Sequence, residues 1–252
     1  MNRTFMLLCA VVFAFAAKCA IADFDYYVLA LSWQPAFCNT HRDKPECRNQ
    51  TPERFDASSL ALHGLWPNSR SGGSPGWCGV PAPVKQLDED KKWCDMPDIG
   101  LGRLVLGSLS TVMPGVQSCL QKHEWYRHGT CSDLGSNRYF LEASGLVRKT
   151  SSTQLNDFLA SNIGKRVRVD DILNAFERDF GKGSRRSLEI TCEKAGALNY
   201  LSEIRIALNK DRLHDYPAAQ SLASPGQLTV KNCRRDGVMV MKVPSSKALA
   251  VE

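Results

Sequence analysis

The chain has 252 residues, of which 43% are hydrophobic and 23% charged, with a formal net charge of +6. That length and composition are typical of one globular domain with a sizeable core. No segment reaches the roughly 20 apolar residues that a membrane-spanning helix requires, which argues against a helical membrane protein. The basic surplus is spread along the chain as doublets, so it permits a polyanionic partner without requiring one.

Residues 1–22 predict a secretory signal peptide. A basic start at Arg3 precedes an apolar stretch from Phe5 to Ala17, and residues 20–22 have the small-x-small pattern of a cleavage site. Cleavage would remove Arg3 and Lys18 and leave residues 23–252 as a single domain of formal charge +4. We therefore expect a periplasmic or secreted protein.

Eight cysteines remain in the predicted mature chain. The even number is typical of a disulfide framework formed in an oxidising compartment. Their spacing alone does not decide the pairing, because eight cysteines allow about a hundred connectivities. The eight are Cys38, Cys47, Cys78, Cys94, Cys119, Cys131, Cys192 and Cys233.

The predicted strands and helices interleave without an internal repeat. Strands are predicted at Phe24–Leu31 and Leu60–Leu62, and a Gly-, Ser- and Pro-rich loop at Asn68–Pro83. Helices are predicted at Gly102–Met113, before His123, at Thr153–Ile163 with Ser152 or Thr153 as cap, and at Asp171–Phe180 between the cap Asp170 and the stop Gly181. Further strands are predicted at Leu188–Cys192, Tyr200–Leu208 and Val238–Val243, and a loose tail at 245–252. This irregular order indicates an α+β fold with a largely antiparallel sheet.

The segment His123–Cys131, which reads HEWYRHGTC, concentrates titratable side chains in a few positions. In a helix that turns by roughly 100° per residue, its two histidines, Glu124 and Arg127 fall on one arc. Two imidazoles, a carboxylate and a guanidinium that face one cleft predict an active site. The shorter segment His63–Pro67, HGLWP, adds a third imidazole beside an aromatic ring.

HGLWP followed about sixty residues later by HEWxxHGTC resembles the two active-site segments of the ribonuclease T2 family of secreted, metal-independent endoribonucleases. The resemblance implies a ribonuclease T2-like fold over the mature chain, with helices flanking the central sheet and disulfides stabilising it. It also implies two disulfide bonds, Cys78 with Cys131 and Cys192 with Cys233. By position we add Cys38 with Cys47, which leaves Cys94 with Cys119.

By the same resemblance, the chain cleaves single-stranded RNA through a 2′,3′-cyclic phosphate without a metal or cofactor. That reaction needs a base at the ribose 2′-OH, an acid at the leaving 5′-oxygen and positive charge at the phosphorane. Histidine suits both proton roles because its pKa lies near neutral pH. We assign His128 as base and His63 as acid, and expect His123 to hold the phosphate. Glu124 and Arg127 are expected to stabilise the transition state, and the alternative role of Glu124 is to orient a histidine.

Trp66 and Asn68 are the predicted substrate-binding residues. In the family a base stacks on the tryptophan of HGLWP, and core packing is the alternative for Trp66. Asn68 stands where the family often has an acidic residue, and Arg127 replaces the usual lysine, so the resemblance gives no base preference. A structural role is the alternative for Arg127. Three residues outside these roles are expected in the core or at the surface: Trp125 in the core, His41 and His214 at the surface.

Two other functions fit parts of the pattern. A zinc hydrolase would need HExxH, with histidines four apart on one helical face, whereas His123 and His128 are five apart. A catalytically silent relative could bind RNA or a protein, but every motif residue that the chemistry needs is present. We therefore favour an endoribonuclease that is monomeric, acts on single-stranded RNA and has no membrane partner.

Overall fold

The computed structural model describes residues 23–224, 226 and 229–244. The predicted signal peptide and the predicted tail at 245–252 lie outside the described residues. Within those described ranges, no helix combines the length and the apolar character needed to cross a bilayer.

A central sheet organises the molecule. Its described strands are β1 (Tyr26–Ser32), β2 (Ala61–Asn68), β3 (Arg166–Val167), β4 (Leu188–Ala195), β5 (Leu198–Asn209), β6 (Thr229–Lys231) and β7 (Val238–Met239). The strand order is β2-β1-β5-β4-β6, and β3 pairs with β7 beside β5. The pairs β1/β2, β1/β5 and β4/β5 are antiparallel, whereas β4/β6 is parallel. The predicted α+β fold with a largely antiparallel sheet is confirmed.

Helices cover one face of this sheet and surround its ends. They are α1 (Gln34–Thr40), α2 (Pro45–Arg48), α3 (Ala82–Glu89), α4 (Arg103–Val112), α5 (Leu120–Arg127), α6 (Ser136–Thr150), α7 (Gln154–Ser161) and α8 (Val169–Phe180). One hydrophobic core joins them to the sheet, with Leu29 and Ile206 from the strands against Phe140 of α6 and Phe176 of α8. Burying such side chains stabilises the fold by about 1.5–3 kcal/mol each.

The two faces of the sheet differ in chemistry, as period-two alternation requires. On β5, Ile204 and Ile206 are fully buried, whereas Glu203 and Arg205, which alternate with them, are only partly buried. β4 alternates in the same way, with Leu188 and Ile190 in the core and Glu189 on the other face. The face turned away from the core is therefore polar, and it is the face on which His63 meets Glu203.

A β-bulge lies at the first motif. Ala30 pairs with Gly64 and Leu31 pairs with Leu62, so His63 is the extra residue between two regular pairs. A bulge re-aims the side chain of the unpaired residue and is common next to active sites. The bulge thus interrupts the alternation of side chains between the two faces of β2 and directs the His63 ring toward the polar face.

Several boundaries differ from the predicted ones. Thr153 caps α7 as predicted, because its hydroxyl accepts from the Asn156 backbone N–H. The predicted cap Asp170 is wrong: α8 begins at Val169, and Asp170 lies in its first turn. The predicted strand Val238–Val243 is too long, since regular pairing covers only β7.

The sequence reading also missed α6, the longest helix described. Its buried residues recur at helical spacing, namely Tyr139, Phe140, Ala143, Leu146 and Val147.

All four predicted disulfides are confirmed. They join Cys38 to Cys47, Cys78 to Cys131, Cys94 to Cys119 and Cys192 to Cys233. The second bond connects the loop after β2 to the end of the second motif. The third connects a short turn at residues 93–95 to the residue that precedes α5. Two of the four therefore hold the segment that contains His123 and His128.

Candidate active site

The two motifs meet at the junction of β2 and α5. His63 and Trp66 lie on β2, His123 and Glu124 lie on α5, and His128 directly follows the helix. The backbone N–H of His128 still bonds to the carbonyl of Glu124 at 3.2 Å, but its φ and ψ are no longer helical. The break after Arg127 releases His128 from the regular helical arc that the sequence predicted.

Glu124 is the fully buried centre of the site. Its Oε2 accepts a hydrogen bond from Trp66 Nε1 at 2.8 Å, and its Oε1 lies 3.7 Å from His63 Nε2 and 3.8 Å from His123 Nε2. Burial raises the pKa of Glu124, and the two neighbouring histidines oppose that effect. A Cβ at Gly64 would overlap Glu124 Oε2 and Trp66 Nε1, so the glycine of HGLWP provides the space for this carboxylate.

His63 is held by a carboxylate from another strand. Its Nδ1 lies 2.6 Å from Oε2 of Glu203 on β5, so the contact spans β1. Burial lowers the pKa of His63, but the hydrogen bond to Glu203 and the charge of Glu124 outweigh it, and the pKa stands above its ordinary value. The pKa of Glu203 is lowered, because His63 and Arg205 more than offset its burial.

A row of alternating charges extends this contact across the sheet. Arg205 Nε lies 2.5 Å from Glu203 Oε1, and Arg205 Nη1 lies 3.0 Å from Glu189 Oε1. Lys231 on β6 contacts the same Glu189 oxygen at 2.9 Å. The row of charges therefore consists of Lys231, Glu189, Arg205, Glu203 and the His63 ring.

His123 is held in a similar way from the other side. Its Nδ1 lies 2.6 Å from Oδ1 of Asp88 on α3, and the Trp93 ring stacks on it with centroids 4.8 Å apart. Because a carboxylate oxygen accepts, Nδ1 donates and Nε2 is left to face Glu124 and the open site.

His128 lacks such a partner. Its ring stacks on Trp66 with centroids 5.2 Å apart, and its buried Nδ1 has no hydrogen-bond partner in the part of the chain that the structure describes. Burial, followed by the charges of His123, Arg127 and His63, lowers the pKa of His128 to about 2. His128 is therefore a neutral imidazole.

The Arg127 side chain contacts the loop that follows β2. Its guanidinium lies over the Trp77 ring at 3.5 Å, and its carbonyl accepts from the Trp77 backbone N–H at 3.1 Å. A Cβ at Gly76 would overlap the guanidinium. No carboxylate of the described residues lies within 4.0 Å of it, although its charge is near enough to lower the pKa of His128. Arg127 thus joins the loop after β2 to the end of α5.

Two cavities flank the site, and Arg205 lines both. The smaller, of about 150 Å³, is lined by Trp66 and Asn68, and the Asn68 Oδ1 accepts from the Ser69 backbone N–H at 2.9 Å. The larger, of about 510 Å³, is lined by His63 and Trp93. Trp66 is half-buried, with Arg205 over its ring at 4.8 Å.

Of the remaining predicted positions, two agree with the structure and one differs. His214 is exposed, as predicted, and Trp125 packs against Tyr139 beside the core. His41 differs from the prediction: it is half-buried, stacks on Phe37 at 4.1 Å and lines the larger cavity.

Among the described residues, one set of atoms is close enough to hold a metal ion. Ligand atoms of His123, Glu124 and His128 lie within 4.8 Å of one another. The His123 and His128 rings meet edge to face with centroids 6.0 Å apart. The same atoms surround the space between the three histidines, so metal binding and proton transfer would compete for them.

The sequence did not reveal Asp88, Glu203 or Arg205. Each lies outside both motifs, and only the polar positions 203 and 205, alternating with isoleucines on β5, distinguish two of them from surface residues.

Known proteins resemble this chain in sequence and in fold. Residues 24–216 match the ribonuclease T2 family. Ribonuclease I of Escherichia coli is 34% identical over 79% of this chain and 80% of its own length. Extracellular ribonuclease LE of Solanum lycopersicum is 26% identical over 56% of this chain and 58% of its own. The solved structure of RNase NT in complex with 5′-AMP shares the fold, with a TM-score of 0.58 and 21% identity, covering 86% of this chain and 98% of that one. The chain therefore belongs to the ribonuclease T2 family, and it is an endoribonuclease.

Proposed function

We propose that the chain cleaves single-stranded RNA by metal-independent acid–base catalysis, with His128 as the base and His63 as the acid. The observation that carries this assignment is the difference between the two rings. His63 is bound to Glu203 and its pKa is raised, which suits a proton donor. His128 has no carboxylate partner among the described residues and its pKa is lowered, so the ring is unprotonated, as a base must be before it accepts a proton.

The reaction follows from these protonation states. His128 takes the proton of the ribose 2′-OH, and the oxygen attacks the adjacent phosphorus to form a phosphorane. The bond to the 5′-oxygen then breaks as His63 donates its proton to that oxygen. The products are a 2′,3′-cyclic phosphate and a 5′-hydroxyl. Each proton transfer contributes about 10² to 10⁴ in rate.

The remaining residues stabilise the phosphorane, orient the histidines or bind the substrate. His123 Nε2 faces the site and donates to a phosphate oxygen, and Arg127 contributes positive charge near it; a charged donor at a developing oxyanion is worth about 10² to 10³ in kcat. Glu124 lies between His63 and His123 and keeps both Nε2 atoms directed at one space. Trp66 and Asn68 line the smaller cavity and contact a base there.

Export and assembly complete the proposal. Residues 1–22 form a cleaved signal peptide, and the mature protein acts as a monomer in the periplasm or outside the cell. Oxidised cysteine pairs agree with an oxidising compartment. Sequencing the amino terminus of the exported protein tests the cleavage site, and a mature chain that begins at Asp23 is the expected result.

The decisive experiment is end-group analysis of a short single-stranded RNA incubated with the purified protein in EDTA. We expect 2′,3′-cyclic phosphate and 5′-hydroxyl ends, while DNA of the same sequence survives because it lacks the 2′-OH. His63→Ala and His128→Ala should each lower kcat by about 10³ with little change in KM. His214→Ala, at an exposed position, is the control and should retain wild-type turnover.

Two outcomes would contradict the proposal. A strict requirement for zinc or magnesium would favour metal chemistry on His123, Glu124 and His128. RNA binding without cleavage by the folded protein would identify a catalytically silent relative instead.

A further inference from the structure

We propose that Asp88 is a positioning residue of the active site, which fixes His123 and, through Trp77, the Arg127 guanidinium. The inference rests on the proposed function, since it concerns how that site is held. Asp88 lies on α3, outside both motifs and 35 residues before His123. Its side chain is only 1% exposed.

Each oxygen of the Asp88 carboxylate is committed to one donor. Oδ1 accepts from His123 Nδ1 at 2.6 Å, and Oδ2 accepts from Trp77 Nε1 at 2.7 Å. The Asp88 carbonyl accepts from Trp93 Nε1 at 3.3 Å, and the Trp93 ring stacks on His123. Asp88 therefore holds the His123 ring in two ways. Its carboxylate binds the ring nitrogen, and its carbonyl binds Trp93, which stacks on the face of the ring.

The arrangement has a consequence for two groups of the site. With Nδ1 bound to Asp88, Nε2 of His123 is the nitrogen left to meet the substrate phosphate. The second oxygen fixes the Trp77 indole, over which the Arg127 guanidinium lies at 3.5 Å. Asp88 thus fixes the placement of both His123 and Arg127 from a helix that lies outside both motifs.

If the role of Asp88 were purely structural, its carboxylate would accept the hydrogen bond of the Trp77 indole without affecting catalysis. The two roles are separable because a positioning residue acts through His123, whereas a structural residue acts through the stability of the fold. Asp88→Asn retains the side-chain volume, but an amide offers one acceptor oxygen and one NH₂ group. Either His123 Nδ1–H or Trp77 Nε1–H would then face the NH₂ group of the amide instead of an acceptor oxygen.

The experiment is a double-mutant cycle on the full chain, with kcat and KM measured on the same short RNA. Asp88→Asn should lower kcat by about 10- to 100-fold, the usual effect of losing a partner that orients a functional imidazole. In the His123→Ala background the further loss should be clearly smaller, because only the contribution through Trp77 and Arg127 remains. Glu89→Gln is the matched control on α3; Glu89 is exposed and contacts Lys85 at 3.7 Å, so wild-type kcat is expected.

A second variant keeps the test decisive if Asp88→Asn does not fold. Trp77→Phe removes the donor to Oδ2 while retaining an aromatic ring, so it should lower kcat by loosening Arg127, and this loss should disappear in the Arg127→Ala background. Wild-type kcat in a folded variant at position 88, an Asp88→Asn loss that multiplies fully with that of His123→Ala, or a Trp77→Phe loss that multiplies fully with that of Arg127→Ala would overturn the inference. The proposed function would fail separately, through wild-type turnover in His63→Ala and His128→Ala.

Discussion

The three histidines of the site differ in what their Nδ1 atoms contact. Those of His63 and His123 bond to Glu203 and Asp88, and that of His128 has no partner in the described part of the chain. A carboxylate at Nδ1 fixes the ring and directs Nε2 toward the substrate. A ring without one stays neutral, especially when it is buried. The pKa of His63 is thereby raised and that of His128 lowered.

Glu203→Gln tests the acid. His63 must be protonated to act, and its raised pKa keeps it so at a higher pH than an ordinary imidazole. Activity is therefore present below that pKa and lost as the pH rises through it. Removing the Glu203 charge lowers the pKa of His63, so the alkaline limb of the kcat–pH profile should move to lower pH. Glu142→Gln, on α6, should leave the profile in place; an unmoved limb in Glu203→Gln would contradict the assignment.

Arg127 is tested by two substitutions. Arg127→Ala should lower kcat by about 10², as for a lost transition-state donor. It also removes the contact with Trp77, which contributes about 0.5–2 kcal/mol to stability. Arg127→Lys keeps the charge but not the planar group, so it should recover most of the kcat and less of the melting temperature. An Ala variant that melts early yet turns over at the wild-type rate where folded would show a structural role alone.

The sequence predicts the motif side chains of this site better than the carboxylates that hold them in place. The motif residues are recognisable because they lie within two short segments. Glu203 is 140 residues from His63, and Asp88 is 35 residues from His123. A carboxylate at that distance has no local pattern to distinguish it, because only tertiary packing decides which ring it meets. The one-arc prediction was wrong for His128, because the helix ends at Arg127 and the φ and ψ of His128 are no longer helical.

Among the elements, β2 contributes most to the site, through the bulge at His63 and the glycine that follows it. Gly64→Ala should destabilise the fold by about 1–3 kcal/mol and lower kcat, because the new Cβ would displace Glu124 and Trp66. Gly107→Ala on α4 is the matched control. It has open space around it in a helix, so it should stabilise by about 0.5–1 kcal/mol without changing kcat. Urea titration and kcat of both variants check this, and a neutral Gly64→Ala would show that the space is not needed.

Element boundaries followed local chemistry where a cap or stop was present. Gly181 ends α8 at a φ of 85°, and Thr153 caps α7, both as predicted. α6 was missed although its buried positions are regularly spaced, because Ser144 and Gly145 interrupt the apolar pattern. Its helical state comes from packing of Tyr139 and Phe140 in the core rather than from propensity.

At the scale of the whole molecule, disulfides join parts of the site that are distant in sequence. Removing the Cys78–Cys131 bond by Cys78→Ser and Cys131→Ser should lower stability by about 2–4 kcal/mol and also lower kcat, because the loop that carries Trp77 is freed. The Cys192–Cys233 bond spans 41 residues, against 53, and lies outside both motifs. Its double Ser variant should lose similar stability and keep kcat where folded. Equal kcat losses in both would show a general effect of destabilisation.

The row of charges from Lys231 to His63 links the edge of the sheet to the charge that surrounds the acid. Neighbouring signs alternate, so a substitution at the β6 edge changes how firmly Glu189 holds Arg205, and therefore how much negative charge Glu203 presents to the acid. The effect of Lys231 on the acid is indirect and attenuated by solvent at each step. Adaptation to a more acidic or more alkaline habitat can thus begin at an edge strand, by small steps in working pH, while every residue that touches RNA stays the same.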